Sequence, residues 1–110
     1  ANRGIGLELA RQYSAAGWRV IGTARKPDSA EALGAIGAEV MQLDVTDQAS
    51  VDRLARDLAD KPVDVLINNA VIQPLMWTLA EVDIDEIERA LSVKTLGTVR
   101  VSSDLLPNLR

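Results

Sequence analysis

Residues 1–25 read ANRGIGLELARQYSAAGWRVIGTAR. Gly4 and Gly6 bracket one isoleucine, and a helical pattern starts at once, with Ile5, Leu9 and Tyr13 at i, i+4 and i+8. Gly17 suits the left-handed position that closes a helix, so a helix is expected over residues 4–17. WRVIGTAR is a short strand-forming run ending near Arg25. The glycine turn has a physical meaning beyond its shape. The first amides of a helix lack partners inside it and lie at the positive end of its dipole, and glycine lets a phosphate approach the backbone. GIG alone is a weak signal, since glycines also start helices for purely structural reasons.

The rest of the chain continues the alternation. SAEALGAIG (29–37) is a short helix closed by Gly37, and AEVMQLDV (38–45) is the next strand. Thr46 or Asp47 can cap a helix in which Val51, Leu54, Ala55 and Leu58 share a face. VDVLIN (63–68) is apolar enough for a third strand buried on both faces. A loop follows over residues 69–82. Asp83 then starts a helix with Glu86 as its capping-box partner and Ile84, Ile87 and Leu91 on its apolar face, running toward Pro107. Helices alternating with strands mean an α/β fold with a parallel sheet.

Composition bounds the chemistry. The chain has 110 residues, 47% of them hydrophobic and 25% charged, which fits one globular domain. It has no histidine and no cysteine, which excludes Ser-His and Cys-His catalysis, disulfides and imidazole- or thiolate-bound zinc. A net charge of −4 argues against a nucleic-acid or acidic-membrane partner. No apolar run is long enough to span a membrane and no leader is visible, so the expected setting is cytoplasmic. The carboxylates Asp44 and Asp47 show no metal-ligand spacing.

Several polar residues fall at strand ends. Arg25 lies 19 residues after Gly6, where an arginine accommodates a 2′-phosphate and an acid would hold a ribose hydroxyl. Arg3, inside the glycine turn, can add a second guanidinium. The alternative for both is a solvated surface charge. Asp44 can accept from an adenine amino group or simply support its turn. Asn68 and Asn69, in INNA, can tie down a neighbouring loop or contact a ribose, with the structural role favoured for Asn68.

Jointly, RGIG (3–6), the strand end at Arg25, LDVTD (43–47), DVLINNA (64–70) and LSVKTLG (91–97) resemble the short-chain dehydrogenase/reductase family across all 110 residues. ARQYSAAGWRVIGTARKP (10–27) and LSVKTLGTVRVSSDLLPNL (91–109) are similar to its small carbonyl-reductase-like members related to C-factor. The resemblance implies an incomplete Rossmann-type three-layer fold, with residues 1–110 as a partial NADP(H)-binding domain. It also implies NADP(H) in preference to NAD(H), and reversible hydride transfer between a carbonyl and an alcohol. Its cofactor-binding positions fall here on Asn2, Arg3, Gly4, Ile5, Gly6, Arg25, Asp44, Val45, Asn69 and Ala70.

Four departures accompany the resemblance. The family's TGxxxGIG loop follows a strand, whereas ANRGIG shows neither the first glycine nor that strand. The family reads NNAG; Val71 replaces the glycine, adds bulk and disfavours positive φ. Lys94 stands where the family has a proton-relay asparagine; it is either a drifted surface lysine or a desolvated one. The family's catalytic serine and YxxxK pair match nothing here, since Tyr13 is the sole tyrosine and belongs to the first helix. No catalytic or metal-binding residue is therefore assigned, and the chain is not expected to turn over alone.

In the family the first strand sits between the Arg25 strand and the INN strand. Both are therefore expected to expose ladder groups and apolar surface. Direct pairing of the two, a strand donated by another chain, or association through exposed helices can relieve this. In the family the helix over residues 84–106 lies at the main dimer interface, so a homodimer or higher oligomer is expected. The alternative to a cofactor-binding portion of an oxidoreductase is a non-enzymatic, self-associating half-domain whose glycine loop is a relic.

Overall fold

A computed structural model describes residues 1–72 and 78–109. Helix α1 spans Gly4–Ala15, strand β1 Ile21–Ala24, helix α2 Glu31–Ala35, strand β2 Glu39–Gln42 and helix α3 Gln48–Asp57. Helix α4, Ile84–Leu91, passes through a π-helical turn, Ser92–Gly97, into helix α5, Thr98–Asp104. The long helix read toward Pro107 is thus present, with one widened turn inside it. Residues 73–77 of the expected loop over 69–82 lie outside the described residues.

Local chemistry sets the element ends. Gly17 and Gly37 have φ of +90° and +82°, the left-handed conformation expected where α1 and α2 close. Asp47 caps α3 by accepting from the Ala49 amide at 3.1 Å, and Asp83 caps α4 by accepting from the Asp85 amide at 3.0 Å. The expected Glu86 partner does not complete a capping box. Thr78 and Glu81 form one instead, at the short 3-10 turn Leu79–Glu81.

Strands β1 and β2 pair in parallel, Ile21 opposite Glu39 through Ala24 opposite Gln42. Alternate β1 side chains point to opposite faces. On one face Ala24, Ala30, Leu33 and Ala38 form a core joined by Leu7 and Val20. Here Gly22 is required, because the Leu33 side chain occupies the space a Cβ would take. On the other face Leu43, Val51, Leu54, Leu58, Val101 and Leu105 form a second core, with Ile21 and Leu66 packed against it. The α3 stripe read from the sequence is the centre of that core.

Three expectations need correction. The buried residues of α1 are Gly6 and Ala10, not the Ile5 end of the Ile5–Leu9–Tyr13 face; Ile5 is exposed. The small residues let the helix sit close to its neighbours, and the isoleucine points away. On α4, Ala90 is buried while Ile84 and Leu91 are exposed. Residues 63–68 form no sheet strand. Val63 makes an isolated bridge to Leu109, donating to the Asn108 carbonyl at 2.9 Å. Among the described residues, Asp64–Ile67 make no further backbone hydrogen bond. Val65 and Ile67 stay 48% and 46% exposed. The reason is spatial: a strand needs a ladder partner, and between this segment and the free edge of β1 lies a cleft of about 620 Å³. Direct pairing of the two segments therefore does not occur. The radius of gyration is 15.0 Å, against about 13 Å for a compact domain of about 100 residues.

Candidate functional site

Four turns converge at the C-terminal ends of the two strands. The Ala1 backbone nitrogen donates to the Thr23 carbonyl at 2.7 Å, which seats the glycine turn beside the end of β1. A Cβ on Gly6 would collide with the Asn69 side-chain amide, so the INNA turn lies directly on the glycine turn. A Cβ on Gly97 would come within 2.8 Å of the Val45 side chain, which brings the π turn onto the LDV turn. Arg100 reinforces that contact by donating to the Val45 carbonyl at 3.2 Å. In open parallel α/β sheets, ligands bind in the crevice at this end of the strands.

The α1 N-terminus is suited to an anion. Arg3 is the N-cap, and its side chain makes no capping bond. The first turn contains no acid. The Leu7 amide makes the first helical bond, to the Arg3 carbonyl at 3.2 Å, so the amides ahead of it have no partner within the helix. Gly4 has φ +57°, which only glycine adopts at no steric cost. Asn2, Arg3, Gly4 and Ile5 are exposed at this end, while Gly6, Val45, Asn69 and Ala70 line the cleft.

Asp44 does what a turn carboxylate does. Its Oδ1 accepts from the Thr46 hydroxyl at 2.6 Å and the Thr46 amide at 2.9 Å. The hydroxyl bond, then the amide bond, hold its pKa below the ordinary carboxylate value; burial opposes them and the charge of Arg25 adds to them. Arg25 itself is exposed, near enough to be felt by Asp44. Asn68 donates to the Ser102 hydroxyl at 3.1 Å, the structural role favoured for it.

Other departures resolve locally. Lys94 is exposed in the π turn, which removes the desolvated-lysine reading. Val71 is 59% exposed, and no described non-glycine residue has positive φ, so its backbone does not take the conformation a β-branched residue resists. Sequence reasoning missed Ser50 and Arg100. Ser50 is fully buried, accepts from the Asp44 amide at 2.9 Å and donates to Gln42 at 2.9 Å, fixing the strand end that carries Asp44. Nothing in the spacing of either residue signals these contacts, six and eight positions away for Ser50 and 55 for Arg100. Among the described residues, no group of three or more acidic, histidine or cysteine side chains is placed to hold a metal. No helix among them is long and apolar enough to cross a membrane.

The family model for short chain dehydrogenases matches residues 1–110. Serine 3-dehydrogenase from Agrobacterium fabrum is 28% identical over 99% of this chain and 46% of its own length. A short-chain dehydrogenase structure from Streptomyces avermitilis superposes with a TM-score of 0.84 at 35% identity, over 97% of this chain and 41% of that one. The structure of NADPH-bound carbonyl reductase from chicken fatty liver gives 0.86 at 26% identity, over 98% and 48%. The chain spans less than half the length of the curated relatives it matches. With the family model covering every residue and the parallel α/β fold shared, the chain belongs to the short-chain dehydrogenase family.

Proposed function

We propose that these residues form the NADP(H)-binding part of an oxidoreductase that moves hydride between a carbonyl and an alcohol. The uncapped N-terminus of α1, with Gly4 at positive φ and the Asn69 amide packed on Gly6, carries the reading. The first-turn amides would take the pyrophosphate. Arg25 at the end of β1, with Arg3, would take the 2′-phosphate. Asp44 and Val45 would border the adenine, and Asn69 and Ala70 the ribose on the nicotinamide side. The cofactor supplies the hydride; these residues bind and orient it. An NADPH-bound solved relative supports the cofactor class. No residue here is assigned the catalytic acid, so the protein chemistry of turnover lies with groups other than these. The setting proposed is the cytoplasm.

Calorimetric titration with NADPH and NADH tests the reading. NADPH should bind more tightly, and Arg25→Ala should lose about tenfold or more in NADPH affinity while changing NADH little, as for one charged hydrogen bond. No saturable heat with NADPH at millimolar concentration would overturn it. We also propose a homodimer or higher oligomer through the exposed face of α4–α5, where Ile84, Leu91, Leu96 and Val99 are all at least half exposed. Light scattering at micromolar concentration should show more than a monomer, and Leu91→Glu should dissociate it.

A further inference from the structure

The turn at residues 43–47 is braced from inside and pinned from outside. Inside, the Asp44 amide donates to the Ser50 hydroxyl at 2.9 Å, and the Asp47 amide donates to the Asp44 carbonyl at 3.1 Å. From outside, α5 and the π turn before it reach Val45 twice. Gly97 packs so closely that a Cβ there would come within 2.8 Å of the Val45 side chain. One helical turn further on, Arg100 donates to the Val45 carbonyl at 3.2 Å. Among the described residues, that carbonyl is the one hydrogen-bond partner of Arg100, and no carboxylate forms an ion pair with its guanidinium. A partly buried arginine is thus committed to a single backbone oxygen 55 positions away.

The oxygen it holds gives the contact a consequence. The Val45 carbonyl and the Thr46 amide are the two ends of one planar peptide group. Arg100 holds the carbonyl end. The amide end donates to Asp44 Oδ1 at 2.9 Å, and the Thr46 hydroxyl donates to the same oxygen at 2.6 Å. A rigid plane cannot rotate at one end alone, so the arginine fixes the direction from which the Thr46 amide meets the carboxylate. A cation on the carbonyl also polarises the peptide and strengthens the amide as a donor. Both effects favour one arrangement of Asp44, in which Oδ1 is held in the turn and Oδ2, among the described residues, has no partner. We propose that Arg100 is a positioning residue for the base end of the cofactor site: through the Val45–Thr46 peptide it aims the Asp44 carboxylate at the amino group of a bound adenine. Arg100 acts without touching the cofactor itself. The inference rests on the NADP(H) reading above.

The test compares NADPH with its hypoxanthine analogue, in which a carbonyl replaces the adenine amino group, by calorimetric titration of the 110-residue chain. A carboxylate accepts from the amino group and repels the carbonyl, so the unsubstituted chain should bind NADPH about tenfold tighter than the analogue. Arg100→Met keeps the apolar stem, removes the donors and should reduce that preference to about twofold, as for a carboxylate no longer aimed at the base. Arg100→Lys keeps a cationic donor and should restore most of the preference. In the ligand-free chain, amide exchange at Thr46 should speed up about fivefold in Arg100→Met, as for one lost hydrogen bond. Exchange at Leu54 and Leu105 should not change, which reports that α3 and α5 stay folded. Unchanged affinities in Arg100→Met overturn the proposal. So does an equal loss for both cofactors with the preference intact, which would mark an arginine that only supports the fold. If the unsubstituted chain binds neither cofactor, the NADP(H) reading falls and takes this one with it. NADPH binding with no effect of Arg100 on base preference overturns this one alone.

Discussion

Strand β1 meets β2 along one edge in a four-residue parallel register, while its other edge faces the cleft and residues 63–68. EVMQ (39–42) has two apolar residues and VDVL (63–66) has three, so apolar content alone would favour the second as a strand. One becomes a strand because β1 presents a complementary row of peptide groups at the right spacing. The other makes a single bridge at Val63 and no ladder beyond it among the described residues. The difference shows that strand formation in a parallel sheet belongs to the neighbour as much as to the sequence. It also divides the molecule into a closed half, built on Leu33, Val51 and Leu54, and an open half in which Val65 and Ile67 stay near half exposure.

Stability should therefore be unevenly distributed, and truncations on the two sides should separate clearly. Leu54→Ala, at a residue 4% exposed in the closed core, should cost about 2–5 kcal/mol through lost burial and a residual cavity. Ile67→Ala, the same kind of truncation on the open side, should cost about 1 kcal/mol or less, since half of its surface is already in water. Urea denaturation monitored by circular dichroism measures both. Equal costs would mean that the cleft is closed in solution.

A smaller effect should come from the anchor of the open side. Asn108 is buried and donates through its side-chain amide to the Leu58 carbonyl and, at 2.8 Å, to the Lys61 carbonyl, while its own carbonyl accepts from Val63. Through its side chain and its backbone carbonyl, one residue thus ties the end of α3 and the start of residues 63–68 to the turn that follows α5. Asn108→Ala leaves two carbonyls without that donor and should cost about 1–3 kcal/mol. Amide exchange should speed up at Val63 more than at the β2 residue Met41. Smaller again, Asp47→Ala removes the α3 cap on the closed side and should cost about 1 kcal/mol in the same urea assay.

The closed half was largely legible in the sequence. Gly17 and Gly37, the Asp47 cap and the Val51–Leu54–Leu58 stripe act through contacts close in sequence, where spacing carries the information. The open half was legible only in part. VDVLIN has the composition of a buried strand; its exposed ladder groups were expected from the family resemblance, whose first strand ANRGIG does not show, and not from any local pattern. The site divides the same way. The glycine turn and the Asp44 turn follow from short motifs. The packing of Asn69 on Gly6 and of Val45 on Gly97 joins residues more than 50 positions apart, and only the fold places them together. Arg25 follows the end of β1, as its position in the sequence led us to expect, and is exposed there.

The smallest expected effect concerns the polar contact between α3 and α5. Asp52 on α3 and Asp104 on α5 face each other, and Gln48 donates to both, at 2.8 and 3.1 Å. The hydrogen bond between the two carboxyls, then burial, then the charge of Asp52 push the Asp104 pKa up; Gln48 opposes this. The Gln48 bond, then the bond from Asp104, hold the Asp52 pKa down, with a further contribution from Arg56. The signs are opposite. Asp104 binds its proton more tightly folded than unfolded, so its contribution is complete below the ordinary carboxylate range and is lost as pH rises through its raised value. The contribution of Asp52 is present above the ordinary carboxylate range and is lost as pH falls through its lowered value. When both groups are ionised, their like charges repel and oppose the packing of α3 on α5. Asp104→Asn keeps a hydrogen-bonding group and removes that charge. It should raise the melting temperature slightly at pH 7 and change it less at acid pH, below the raised Asp104 value, where that carboxyl carries its proton. Thermal melts at the two pH values compare them directly. An equal shift at both would mean that the pair is too well solvated to communicate, and that α3 and α5 are held together by Leu54, Leu58, Val101 and Leu105 alone.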